Sequence, residues 1–222
     1  VSITTYAYDK KGNLIKRAVV DPATENILSS MEYTYDAMDR IIREMDAEGS
    51  AVSYGYDADG SLSCVTDPNG NEMSFVYNDA GERISETDTL GNTTRYTYSE
   101  LGKIESITDP KGNTTRFIYE AGGRLKEEIY ADGKKVRYAY DGNGNVIRKT
   151  FINAGREESF LEYTYDCMDR VIKVTGNKGQ EMTYTYDAAG NVISRTDARG
   201  NTTRYEYSLT GRLVAVEDAT ES

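Results

Sequence analysis

The chain has 222 residues, 38% hydrophobic content and a mean hydropathy of -0.65, which by length suits one or two globular domains but not a thick two-layer core. A formal net charge of -11, with no local Lys/Arg cluster to offset it, argues against nucleic acid or an anionic membrane surface as a partner. The aromatics are 19 Tyr and 4 Phe with no Trp, and tyrosine suits a surface that is apolar on its ring and wet at its hydroxyl.

The opening residues Val1-Ser2-Ile3-Thr4 carry neither a start Met nor a signal peptide, and no apolar run approaches the roughly 20 residues of a membrane helix. The chain therefore reads as an interior piece of a longer polypeptide, with no membrane insertion. Its first element is Tyr6-Ala7-Tyr8, followed by Asp9, Gly12 and Leu14. After an insertion near 21–30 the aromatic-x-aromatic triplet returns at Tyr33/Tyr35, then at Tyr54/Tyr56, Phe75/Tyr77, Tyr96/Tyr98, Phe117/Tyr119 and Tyr138/Tyr140. A second insertion near 153–160 precedes Tyr163/Tyr165, and Tyr184/Tyr186 and Tyr205/Tyr207 complete the series. The second aromatic recurs at intervals of 27, 21, 21, 21, 21, 21, 25, 21 and 21 residues, so residues 1–222 read as a single array of ten 21-residue repeats. Among the tyrosines only Tyr130 falls outside the pattern.

Four residues after the second aromatic stands Gly in eight repeats, among them Gly60, Gly102, Gly144 and Gly190, and Asp39 or Asp169 in the other two. A second turn cluster closes the unit, as in Asp67-Pro68-Asn69-Gly70-Asn71. Glycine at a fixed offset after Asp or Asn fits tight turns that need positive φ. The run from Thr93 to Tyr98 alternates polar and aromatic residues, the period-2 pattern of a strand with one distinctive face. The predicted fold is all-β: tandem 21-residue β-hairpins forming one long, curved antiparallel sheet, with a parallel β-helix of 21-residue rungs as the alternative. Stacked hairpins bring the tyrosines of neighbouring repeats together, with cross-strand aromatic contacts of roughly 0.2–1 kcal/mol each, so the tyrosine pairs and turn glycines are the expected structural residues. An excised array leaves unpaired strands near Val1 and Ser222, which predicts edge-to-edge self-association.

Two repeats, Met31 to Arg40 and Leu161 to Arg170, match each other at an offset of 130. Each follows an insertion and replaces the turn glycine by Asp, so longer hairpins are expected at about Asp21 to Ser30 and Asn153 to Phe160. Duplication of a repeat block accounts for the match, with a docking role as the alternative.

Chemistry-bearing patterns are sparse. The chain has no His, which removes Ser-His-Asp and Cys-His arrangements and every imidazole metal site. Asp and Glu sit mainly at repeated turn slots, and no catalytic residue, cofactor or metal site is assigned. Asp141-Gly142-Asn143-Gly144-Asn145 resembles the start of an EF-hand loop, but position six is Val146 instead of Gly and position twelve Ile152 instead of Glu, so it reads as a turn. Three sequons at Asn92, Asn113 and Asn201 share one repeat slot, where a turn Asn followed by a strand Thr explains them. Cys64 and Cys167 occupy different slots 103 residues apart and form no disulfide or zinc framework. The tyrosine ladder would also suit a carbohydrate platform, since aromatic faces stack on pyranose rings, although identical slots in every repeat favour rings packing on one another.

The recurring Tyr-x-Tyr-Asp-x-x-Gly-Arg/Asn-Leu/Val, seen from Tyr138 to Val146 and from Tyr184 to Val192, resembles the YD repeat of Rhs proteins, teneurins and insecticidal toxin-complex shells. The resemblance runs essentially from Thr5 to Asp218 and rests on ten in-register copies. It implies hairpins spiralling into a hollow shell that encloses a C-terminal toxin or displays an adhesion surface outside the cell. Ten repeats would supply an open arc of such a wall, and neither an Rhs core-associated region nor a variable toxin tip is present in the sequence. The role implied is that of a non-catalytic scaffold in a secreted or cell-surface protein, with the rest of the polypeptide and an enclosed C-terminal toxin as partners. A carbohydrate- or cell-surface-binding adhesion module is the alternative.

Overall fold

The structure, a computed structural model, describes residues 2–218. It divides into two units, Val1–Asn113 and Thr114–Ser222. The first contains β1 (Ile3–Tyr8), β2 (Leu14–Val20), β3 (Ile27–Tyr35), β4 (Ile41–Asp46), β5 (Ala51–Tyr56), β6 (Leu62–Thr66), β7 (Glu72–Tyr77), β8 (Arg83–Thr87), β9 (Thr93–Tyr98) and β10 (Ile104–Thr108). The second contains β11 (Thr114–Tyr119), β12 (Leu125–Ile129), β13 (Lys135–Tyr140), β14 (Val146–Asn153), β15 (Arg156–Tyr165), β16 (Val171–Gly176), β17 (Glu181–Tyr186), β18 (Val192–Asp197), β19 (Thr202–Tyr207) and β20 (Leu213–Glu217). Within each unit every strand pairs antiparallel with the next in sequence, from β1–β2 to β9–β10 and from β11–β12 to β19–β20. The fold is therefore all-β and antiparallel, and the parallel β-helix is not needed. The ends near Val1 and Ser222, where unpaired strands were expected, lie outside the described residues.

Apart from those of the hairpins β2–β3, β14–β15 and β16–β17, the turns are closed by the same pair of backbone hydrogen bonds. At the first, the Asp9 N–H donates to the Asn13 carbonyl (2.9 Å) and the Gly12 N–H to the Asp9 carbonyl (3.2 Å), with Gly12 at φ 96°. The Asp9 carboxylate accepts from the N–H groups of Lys11 (2.8 Å) and Asn13 (2.9 Å), an Asx turn that fixes the loop through its own side chain. The second turn type repeats this at Asp67, whose N–H donates to the Asn71 carbonyl at 2.9 Å, with Gly70 at φ 84°. The two turn types differ in the strand register beyond them. After Tyr8↔Leu14 the register jumps to Ala7↔Lys16, leaving Ile15 as a β-bulge, whereas Thr66↔Glu72, Val65↔Met73 and Cys64↔Ser74 run unbroken. The same bulge accompanies the Tyr-x-Tyr strand in later repeats, as at Tyr56↔Leu62 and Tyr186↔Val192. A bulge changes the spacing of same-face residues from two to three on its strand, so Leu14 and Arg17, opposite Tyr8 and Tyr6, share the tyrosine face.

The hairpins β2–β3 and β14–β15 are longer, with strands of 9 and 10 residues in β3 and β15. Their tips carry the non-glycine positive-φ residues Glu25 (58°) and Ala154 (48°).

The array has little conventional core. Among the described residues only Ala18 and Val136 are buried apolar side chains, at 5% and 6% exposure. A sheet this thin has to be held by what its strands exchange along their length.

Candidate functional site

The tyrosine face carries the most regular arrangement in the molecule. In most repeats, though among the described residues not at Tyr77 or Tyr207, the second tyrosine donates its hydroxyl to the main-chain carbonyl of the residue that stands opposite the second tyrosine of the preceding repeat. In the first unit these bonds are Tyr35 to Leu14 (2.7 Å), Tyr56 to Ile41 (2.7 Å) and Tyr98 to Arg83 (2.8 Å). In the second they are Tyr140 to Leu125 (2.6 Å), Tyr165 to Val146 (2.8 Å) and Tyr186 to Val171 (2.6 Å). The bulge explains the need. Between β2 and β3 the last ladder rung is Lys16↔Glu32, and between β4 and β5 it is Arg43↔Ser53, so Leu14 and Ile41 lie beyond the ladder. Their carbonyls take a phenol in place of a backbone N–H.

Arginine five residues after the second tyrosine locks the same joint. Arg40 stands 4.3 Å from the centroid of the Tyr56 ring, Arg124 4.8 Å from Tyr140 and Arg170 4.6 Å from Tyr186, each over the ring of the following repeat. Each is held from behind by the acid that follows its own tyrosine: Asp36 and Asp166 at 2.7 Å, and Glu120. Where this slot is Asn, as at Asn13, Asn145 and Asn191, its amide donates to the same carboxylate. The Arg/Asn choice in the repeat is thus between a clamp that reaches the next ring and an amide that closes its own turn and, at Asn13 and Asn145, also reaches an aspartate of the next repeat.

The first tyrosine of the triplet meets a carboxylate in alternate repeats. Tyr96 donates to Glu86 at 2.9 Å and Tyr138 to Glu128 at 2.9 Å. Burial, reinforced by these carboxylates, raises the phenols of Tyr54, Tyr96 and Tyr138, with Glu44 acting on Tyr54. Tyr130, outside the repeat pattern, sits at the tip of β12–β13 and donates to the other oxygen of Glu128 at 2.5 Å, and that bond together with burial pushes its phenol up to about 12. The glutamates at 44, 86 and 128, 42 residues apart, are functional neighbours that the tyrosine pattern alone did not reveal; their even spacing is the signal that could have found them.

Asp39 and Asp169 hold positive φ, 61° and 57°, where the other repeats have glycine, and each reaches back to the previous turn. Asp39 accepts from Lys11 (2.8 Å) and Asn13 (2.9 Å), and Asp169 from Asn143 (3.0 Å) and Asn145 (2.7 Å). Gly60, Gly102, Gly144 and Gly190 take φ of 92°, 70°, 97° and 91°.

The opposite face is lined with small polar side chains. Hydroxyls pair across strands at Thr87–Thr93 (2.9 Å), Thr97–Ser106 (2.7 Å), Thr185–Ser194 (2.6 Å) and Thr196–Thr202 (2.8 Å). At β5–β6 the pair is Gly55 and Cys64, where a Cβ on residue 55 would stand 2.5 Å from the Cys64 sulfur. Cys64 and Cys167 are both free thiols. The sequon residues Asn92, Asn113 and Asn201 donate their amide nitrogens to Asp88, Asp109 and Asp197 at 2.8–3.0 Å, so the nitrogen a glycan would need is already engaged in the turn. Such bonds hold the turn aspartates below the ordinary carboxylate range, as at Asp67, where the Asn71 side chain contributes most and the Asn71 N–H next. Asp141, the first residue of the EF-hand-like run, accepts from the N–H groups of Asn143 and Asn145 at 2.9 Å in the same Asx turn.

Comparison with known proteins places this geometry. The RHS repeat family model matches residues 77–114, 98–135, 119–151, 169–202 and 186–221, together more than half of the chain, and the teneurin YD-shell model matches residues 1–94. Among solved structures, the Tc holotoxin pore of Photorhabdus luminescens matches with a TM-score of 0.57 at 15% identity over 98% of this chain and 17% of its own. TcdB2-TccC3 matches with a TM-score of 0.55 at 19% identity, over 97% of this chain and 16% of its own. These likenesses concern the fold, and the chain spans only about a sixth of those proteins' length. No curated protein sequence matches it.

Proposed function

The chain belongs to the RHS repeat family, and from that premise we propose that it is a non-catalytic wall segment of a larger secreted or cell-surface shell that encloses or displays a C-terminal effector. The observation that carries this reading is the phenol-to-carbonyl ladder. At most joints a repeat leaves a carbonyl beyond its own ladder and the next repeat supplies the hydroxyl, so the most regular side chains of the molecule serve cohesion between repeats. An array built this way adds length without adding a distinct site, as a wall requires. The tyrosine pairs and turn glycines act as structural residues within one array, and the long hairpins at 21–30 and 153–160 are variations on it. The similarity in fold to the toxin-complex structures supports the same role.

The test is limited proteolysis of the intact parent polypeptide. A segment downstream of the repeats that resists protease until the array is unfolded supports the reading; one cleaved as fast as a free tail refutes enclosure. A carbohydrate-binding role finds some support in Tyr6 and Tyr8, 54% and 59% exposed, and a glycan array without signal at high micromolar protein would dismiss it. Edge-to-edge self-association predicts a mass that rises with concentration in light scattering, and a constant monomer mass would remove it.

A further inference from the structure

In a chain of net charge -11, one face of the second unit is cationic. Directly opposed residues share a face, and the registers Arg116↔Ile129, Ile118↔Glu127, Glu127↔Arg137 and Ile129↔Lys135 place these side chains together on the side of β11–β13 away from Phe117 and Tyr138. Glu127, 8% exposed, is the keystone: its carboxylate accepts from Lys135 Nζ at 3.2 Å and from Arg137 Nη2 at 2.9 Å. Burial pushes its carboxyl up, but Arg137 and Lys135 more than offset this and hold it below its usual value. Both cations are thereby fixed in place with donors to spare. Among the described residues Arg116 and Lys126 form no ion pair, so on β11–β13 four cations share the one carboxylate of Glu127.

The surface is also shaped. A depression of about 420 Å³ is lined by Ile118, Lys126, Glu127 and Arg137, and a second of about 330 Å³ begins at Lys135 and Arg137 and runs past Thr150 and Ile152 to Gly155 and Glu157, whose carboxylate is paired with Arg148 at 2.8 Å. Ile118 is 43% exposed between the cations.

We propose that this face of β11–β14 docks an acidic polypeptide segment, whose carboxylates meet Arg116, Lys126, Lys135 and Arg137 and whose aliphatic side chains cover Ile118. Lys135 and Arg137 are two residues apart on one strand, about 7 Å, the spacing of alternate side chains in an extended peptide. Exposed isoleucine between the cations gives a peptide's apolar side chains something to bury. A sulphated sugar gains nothing from it, and the tyrosine rings of these strands that a pyranose would stack on point to the other side. The inference concerns this chain alone and stands apart from the shell reading.

The experiment is fluorescence anisotropy of a fluorescein-labelled octapeptide of alternating glutamate and leucine against the whole chain. Saturable binding that weakens with salt, and that falls about tenfold in the Arg116→Glu/Lys126→Glu variant with unchanged melting, is expected, since two exposed charge reversals act there. Arg116 and Lys126 lie outside the Glu127 network, so this variant keeps the fold. Arg43→Glu, an exposed cation of the first unit, leaves binding unchanged. Absence of binding, equal binding by the double variant, equal loss in Arg43→Glu, or binding of a heparin-derived oligosaccharide that the peptide does not displace would each overturn the proposal.

Discussion

Replacing Tyr186 separates the parts of the inter-repeat joint. Its hydroxyl donates to the Val171 carbonyl at 2.6 Å, its ring lies 4.6 Å from the Arg170 guanidinium, and it is half-buried. Tyr186→Phe keeps the ring and removes the donor; a net hydrogen bond of this kind contributes about 1 kcal/mol. Tyr186→Ala also removes half-buried aromatic area, about 1–1.5 kcal/mol, and the cation-ring contact, about 0.5–1 kcal/mol, for a total near 3 kcal/mol. In a chain of this length about 1 kcal/mol moves the midpoint by 2–4 °C, so calorimetry should give losses of about 3 °C for Phe and about 9 °C for Ala. Tyr8→Phe is the control: its side chain is 59% exposed and the change should stay within about 0.5 kcal/mol. If Tyr186→Phe melts like the parent, the phenol ladder is not what joins the repeats. If Phe costs as much as Ala, the ring and Arg170 contribute nothing.

Eleven turn aspartates, from Asp9 to Asp197, have depressed carboxyls, as does Glu127; a depressed folded pKa stabilises above the unfolded value, so stability should be level near neutrality and fall as pH drops below about 4, read by urea midpoints across pH. The raised phenols act in the opposite sense, so their contribution is full below pH 10 and lost above it, and ultraviolet titration of Tyr130→Phe against the parent should remove one phenol ionising at about 12. Gly55→Ala should cost about 1–3 kcal/mol because its Cβ meets the Cys64 sulfur, and Cys64→Ala in the same chain should return most of that loss, measured as a double-mutant cycle.

The strands and their antiparallel pairing were legible because both signals are local: alternation in Thr93 to Tyr98 and a turn cluster after each run. The bulge was not. Leu14 and Arg17 are three apart in sequence yet share a face, and a period-2 reading of β2 puts one of them on the wrong side. The group left stranded by the bulge is a carbonyl, and sequence shows no carbonyls, so the partner of the second tyrosine's hydroxyl could not be named even though the tyrosine itself was conspicuous.

The same limit explains the glutamates and arginines. Arg40, Arg124 and Arg170 each read as one half of a turn motif, and only the stacking of the next hairpin turns them into a clamp on the rings of Tyr56, Tyr140 and Tyr186. A repeat sequence states what each unit is made of. The interactions between units depend on registry, and in this chain registry is set by one extra residue per hairpin. Deleting Ile193, the bulge residue after Tyr186, would turn Ser194, Arg195 and the residues after them to the opposite face of β18 while leaving the composition almost unchanged. The cohesion of this array therefore resides in the bulge as much as in the tyrosines that mark it.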